Sequence, residues 1–267
     1  MYKYCSRLVI SFGIWVFIYA IIQNRNGLTG IFTLLKNGIP EGHLWFIIMI
    51  IGIYLVMPII RIFIKGATKK DIEYFLLIAF IIQSVIPFLM EFKTFSWINN
   101  YYTHLNPTVI TGYIGYFVLG YYLNKYELSK KKKTSLMVLG IISIIITILL
   151  NLFKSQKINE PLTTFFNNFY PNIVFYSIGM FLIIKEICSK IRFGDKLKDF
   201  IAVVGKNIFG VYLIHILIRD LLDLVNINAL MYNTYISIPL VSLLIFMISL
   251  IVTYIISKIP YLRRIVL

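Results

Sequence analysis

The chain has 267 residues, of which 59% are hydrophobic, 16% aromatic and only 14% charged, and its mean hydropathy is +0.84. A soluble domain carries about 25% charged residues, so this composition excludes an aqueous globular fold and leaves the bilayer as solvent. The formal net charge of +15 would suit nucleic acid, but the basic residues follow topology, so no nucleic-acid partner is expected.

The first predicted span covers residues 7–23, with Lys3 and Arg7 holding its start on the cytoplasmic side. An outer loop containing Gly27, Gly30, Gly38 and Pro40 leads to EGHLWFIIMIIGIYLVMPIIR, residues 41–61. Its uncharged run, residues 44–60, is about the shortest helix that crosses a ~30 Å hydrocarbon core. Arg61, Lys65, Lys69 and Lys70 follow at once, so this second span runs inward, and His43 and Trp45 sit at its outer end. Pro58 is an expected kink near the inner end of the second span, and the third covers residues 73–90, with Pro87 near its outer end. The outer segment EFKTFSWINNYYTHLNP, rich in Trp, Tyr and Asn, suits either the membrane interface or a sugar site.

The fourth span, residues 108–124, carries Gly112, Tyr116 and Gly120 on one face, which predicts a close packing seam. After SKKKK, the fifth span (134–153) is plain Ile and Leu and is expected to face lipid, and the sixth covers residues 169–187. A long cytoplasmic loop is predicted over residues 185–206, then a seventh span over 206–223 with snorkelling ends and an eighth over 237–257. The expectation is an all-α polytopic transmembrane bundle of about eight spans, a single membrane domain over residues 1–267, with both termini cytoplasmic. Of the 26 Lys and Arg, that topology puts 20 inside and 6 outside, whereas the acids divide 6 and 5. No cleavable signal peptide is expected. Cys5 and Cys188 both fall on the cytoplasmic side, where no disulfide is expected.

Ionisable groups inside a membrane protein are functional candidates because burying them is costly. Tyr212, His215 and Arg219 in GKNIFGVYLIHILIRD share a helical face. His215 reads either as a satisfied structural histidine or as a member of a substrate or proton site. His43 is likewise an interface anchor or part of an outward-facing site, and His104 a surface residue. The three histidines are scattered, so no metal site is expected.

GHLWF opening an inward helix, YIGYFVLGYYL, and the late GKNIFGVYLIH together resemble the acyltransferase 3 family, bacterial integral-membrane enzymes that O-acylate cell-surface glycans. The resemblance covers essentially the whole chain. The family has ten spans, of which this chain resembles the last eight. KYCSRLVISFGIWVFIY is similar to the third, while the first span, with the arginine and the histidine held to be catalytic, has no counterpart. Ile208 stands where the family commonly has Ser.

The resemblance implies an O-acyltransferase, O-acetyl in specificity, in the cell membrane. It has no bound cofactor and takes acyl-CoA (acetyl-CoA) as cytoplasmic donor, with a polysaccharide or lipid-linked glycan as acceptor. The catalytic residue stays unknown, with His43, Trp45, Tyr212 and His215 as supporting groups and Lys3 and Arg7 on the acyl-CoA side. A partner supplying the missing helices is the corollary. Two other classes stay open: a lipid-linked sugar transporter or flippase, and a non-catalytic remnant or half of a split acyltransferase.

Overall fold

The computed structural model describes residues 2–23, 42–105, 112–191 and 193–260. The described residues are helical, with no strand among them. They comprise α1 (Tyr2–Gln23), α2 (Trp45–Gly66), α3 (Lys69–Phe80), a π turn (Ile81–Val85), α4 (Ile86–Met90), α5 (Ile98–Leu105), α6 (Ile114–Lys125), α7 (Lys130–Ile158), α8 (Pro171–Lys190), α9 (Asp195–Leu224) and α10 (Thr234–Lys258). A helix satisfies every interior backbone group by itself, which hydrocarbon requires. Seven of the described helical segments are long and apolar enough to cross a membrane. At the predicted fourth span the described helix, α6, has only twelve residues, and part of that prediction lies outside the described residues.

Several boundaries differ from the predicted ones for local reasons. The third span starts at Lys69 rather than residue 73 because Thr68 and Asp71 form a capping box, with Thr68 N–H donating to Asp71 Oδ2 at 2.8 Å. The long loop predicted over residues 185–206 is mostly helix, since α8 continues to Lys190 and α9 starts at Asp195. Lys, Asp and Leu in that stretch are compatible with a helix outside hydrocarbon, so charge marks the membrane boundary and not the helix boundary.

The chain divides into two compact units, residues 1–57 with 193–267, and residues 58–192. The division falls at Pro58, inside α2, where proline takes one N–H out of the helical ladder. Unit 1 has a core of Trp15, Val16 and Tyr19 from α1, Leu44 and Ile47 at the start of α2, and Leu213, Ile214 and Ile218 from α9. These contacts set the C-terminal part of α1 level with the N-terminal end of α2 and with residue 213 of α9. So α1, the start of α2 and the middle of α9 meet at one level.

In unit 2 the expected seam on the fourth span is not there. Gly112 precedes α6 with a φ of 101° and serves a turn, and a Cβ on Gly120 would meet open space. The close seam joins α7 and α8, where a Cβ on Gly179 would lie 2.7 Å from the Gly140 Cα. The Ile-rich fifth span is thus only half a lipid face. Gly140, Ser143, Thr147 and Asn151, spaced three and four apart, are buried, while Ile141, Ile145 and Ile148 are exposed. Asn172 donates to the Thr147 hydroxyl at 2.7 Å and to the Phe165 carbonyl at 2.8 Å, and Asn151 accepts from the Phe165 N–H at 3.0 Å. These bonds stitch the connection between α7 and α8 to both helices.

At the end of the third span Lys154 reaches Glu91 at 2.9 Å and the Tyr170 hydroxyl donates to its other oxygen. Burial pushes the Glu91 carboxyl up, but the Tyr170 and Lys154 hydrogen bonds outweigh it and hold the group below the ordinary glutamate range.

Two predictions follow from unit 2. Gly179→Leu forces side-chain atoms into the Gly140 backbone and should destabilise the protein by at least about 1–3 kcal/mol in thermal unfolding in detergent, while Gly120→Ala should not. Because the folded pKa of Glu91 is depressed, its contribution is complete above the unfolded glutamate value of about 4.3 and is lost as pH falls through the folded value. The stability difference between wild type and Glu91→Gln should therefore shrink on acidification below about pH 4.

Candidate functional site

Two histidines that lie far apart in the chain, His43 and His215, meet in unit 1. Trp15 and Tyr19 are one helical turn apart on α1, with ring centroids 5.7 Å apart, and Tyr19 is only 1% exposed. Its hydroxyl donates to the Leu213 carbonyl at 2.7 Å, which ties α1 to α9. A single turn of 3₁₀ helix, Gly42–Leu44, precedes α2 and buries Leu44. That anchoring puts the His43 ring edge-on to Tyr19, with centroids 5.3 Å apart.

The third wall is α9, which presents Tyr212 and His215 at a spacing of three. The Tyr212 hydroxyl donates to the His43 backbone carbonyl. The His43 ring lies 5.6 Å from the Tyr212 ring and 5.1 Å from the His215 ring. Four aromatic side chains from three segments thus surround one point.

The two histidines differ in hydrogen bonding. His215 Nδ1 lies 2.6 Å from the Tyr212 backbone carbonyl. A carbonyl oxygen can only accept, so Nδ1 carries the proton and Nε2 of the neutral ring keeps its lone pair. That is the orientation a general base needs. The His43 ring nitrogens are both buried, and neither makes a hydrogen bond of good geometry among the described residues. The Leu213 carbonyl stands beside that ring; it accepts from Tyr19 and keeps a second lone pair that one His43 N–H can use. A buried polar group left unmatched costs about 1–3 kcal/mol, and a hydroxyl-bearing ligand would remove that cost by donating to one nitrogen or accepting from the other.

Not every predicted site residue joins this cluster. Trp45 is 42% exposed and stacks edge-on against Phe46, whose ring packs 5.4 Å from Tyr212, so it lies at the margin. Arg219 is exposed and its Nε and Nη2 both donate to Asp220 Oδ1, at 2.9 and 2.7 Å. His104 is exposed on α5 of the other unit. Lys3 and Arg7 stand 16 and 12 residues before Tyr19 on α1, about 24 and 18 Å along the axis at the α-helical rise.

Sequence reasoning missed Trp15 and Tyr19. Their signal was a Trp–Tyr pair at i, i+4 in the apolar run GIWVFIYA. No group of three His, Cys, Asp or Glu among the described residues is placed to hold a metal ion.

The model of one protein family, described as an acyltransferase domain, matches residues 1–258. No curated protein and no solved structure matches the chain.

The tautomer assigned to His215 has a direct test. Nitrogen NMR of protein labelled with ¹⁵N-histidine, with His215→Asn identifying the resonance, should show His215 as the Nδ1–H form. An Nε2–H resonance would remove the basis for a general base at this position.

Proposed function

This chain belongs to the acyltransferase family whose domain it carries over residues 1–258, and we propose that it is a multi-pass O-acyltransferase of the cell membrane. In this proposal it takes the acyl group, acetyl in the simplest case, from acyl-CoA on the cytoplasmic side. The acceptor is a hydroxyl of a cell-surface polysaccharide or lipid-linked glycan. The observation that carries the proposal is the pairing in unit 1. His215 has its Nδ1 held on the Tyr212 carbonyl and its Nε2 basic, and its ring centroid lies 5.1 Å from a His43 whose nitrogens lack good partners.

The chemistry proposed is a single acyl transfer. The acceptor hydroxyl oxygen attacks the thioester carbonyl carbon, forming a C–O bond as the C–S bond breaks. His215 Nε2 takes the hydroxyl proton and returns it to the leaving sulfur, so the products are the ester and the free thiol. His43, whose N–H makes no hydrogen bond of good geometry among the described residues, donates to the oxyanion that develops on the carbonyl oxygen. Tyr212 is a positioning residue through its two bonds, the carbonyl to His215 and the hydroxyl to the His43 backbone. Trp45 offers an exposed aromatic face to the sugar ring.

Distance along α1 supports a two-sided reaction. The helix has its basic residues, Lys3 and Arg7, at one end and the histidine cluster beside Tyr19 near the other. Donor phosphates at the basic end would leave the thioester to cross most of the helix length, which a donor with a long flexible arm can do.

The test is transfer of radiolabelled acetyl from acetyl-CoA to polysaccharide by purified protein in lipid nanodiscs. His215→Ala should lower the rate by about 10²–10⁴-fold, the usual contribution of a general base, and His43→Ala should lower it without weakening acceptor binding. Cys188→Ser, an exposed position in the other unit, should leave it unchanged. If both histidine variants transfer at the wild-type rate, the site in unit 1 is not where the chemistry happens.

A further inference from the structure

Unit 2 holds a cavity of about 340 Å³ between α3 with its π turn, α6 and α8, within the roughly 300–1,000 Å³ range of pockets that bind small molecules. Its wall is almost wholly aliphatic and aromatic, with Leu76, Phe80, Leu119 and Phe175 among the lining residues. Two polar pairs at its margin are satisfied. The Tyr122 hydroxyl donates to Glu73, and the Tyr116 hydroxyl donates to the Asn168 carbonyl.

Gln83 is the exception. It lines the cavity, is only 7% exposed, and its Nε2 is buried without a hydrogen-bond partner. It belongs to the π turn Ile81–Val85, which buries Gln83 and its neighbour Ser84 together, and such turns occur often at functional sites. Small residues flank the amide on its oxygen side, where a Cβ on Gly115 would lie 3.6 Å from the Ala79 Cβ and 3.8 Å from Gln83 Oε1.

The depth of the amide selects the ligand. Gln83 stands 14 residues after Lys69 and 7 before Met90, about 21 and 10 Å from those ends at the α-helical rise. A charged or zwitterionic headgroup stays at the interface, so it cannot bring an acceptor to that depth. A bridging water needs two to four polar partners; the Tyr116 and Tyr122 hydroxyl protons are committed elsewhere, and Ser84 is the other buried polar side chain of the π turn. We infer that the cavity binds a neutral acyl lipid, a hydrocarbon chain with an uncharged ester carbonyl that accepts from Gln83 Nε2. This lies beyond the acyl-transfer proposal and does not depend on it.

The full chain in phosphatidylcholine nanodiscs tests this with a diacylglycerol carrying a diazirine midway along one chain. Photolabelling should concentrate in the peptides around residues 73–84 and 115–123. Excess unlabelled diacylglycerol should displace it, and the bulk phosphatidylcholine should not. Gln83→Leu, which removes the donor and keeps the volume, should cut labelling about tenfold, the equivalent of one hydrogen bond of about 1.4 kcal/mol, with thermal unfolding unchanged. Should that variant be unstable, Leu119→Trp, which narrows the cavity and keeps the amide, should lose the label as well. Labelling spread evenly over lipid-exposed helices, displacement by phosphatidylcholine, or full labelling in a stable Gln83→Leu or in Leu119→Trp would overturn the inference.

Discussion

A hydrocarbon solvent accepts no hydrogen bond, so every polar group in this chain must find a partner within the protein or stay unmet. Most of the structure follows from that constraint. The backbone is satisfied by helices, and the capping box at Thr68 closes the start of α3. The Asn151, Asn172 and Thr147 bonds do the same for the connection before α8. Where a polar side chain is buried and well matched, it fixes one segment against another, as Tyr19 does on the Leu213 carbonyl.

The departures from that constraint therefore carry information. Among the described residues, the buried groups left unmatched include His43 in unit 1 and Gln83 in unit 2, beside Asn172 Oδ1 and the Ser249 and Thr253 hydroxyls. His43 and Gln83 differ from the other three in lying at breaks in regular helix, a 3₁₀ turn for the histidine and a π turn for the glutamine. Regular α-helix spends its backbone groups internally and leaves side chains to set specificity. A break alters which side chains point inward, and here both breaks put a polar group against apolar neighbours. A ligand hydroxyl or carbonyl supplies what the protein lacks in each place.

Packing between helices shows how little of the chain is needed for close contact. The α7–α8 seam rests on Gly140 and Gly179, whose backbones meet at a distance that leaves no room for a methyl group. Residues three and four apart on α7 then extend that face as Ser143, Thr147 and Asn151, while isoleucines cover the rest. Small residues bring backbones near, and polar ones then bond across the seam, since apolar contact alone gives little preference over lipid.

The sequence by itself determined that this is a multi-span helical membrane protein, because hydropathy and span length depend only on local composition. It also determined the family, since three aromatic motifs in the right order survive without knowledge of contacts. Residues His43, Tyr212 and His215 were legible as candidates because ionisable groups are rare in such a chain. Their meeting was not legible, because it depends on α1, the turn before α2 and α9 packing together at one level. Neither was Tyr19, which looks like any membrane tyrosine until its hydroxyl is seen on the Leu213 carbonyl. The packing seam was placed on α6 from glycine spacing and found on α7 and α8. Spacing says which residues share a face, but only tertiary structure decides what that face meets.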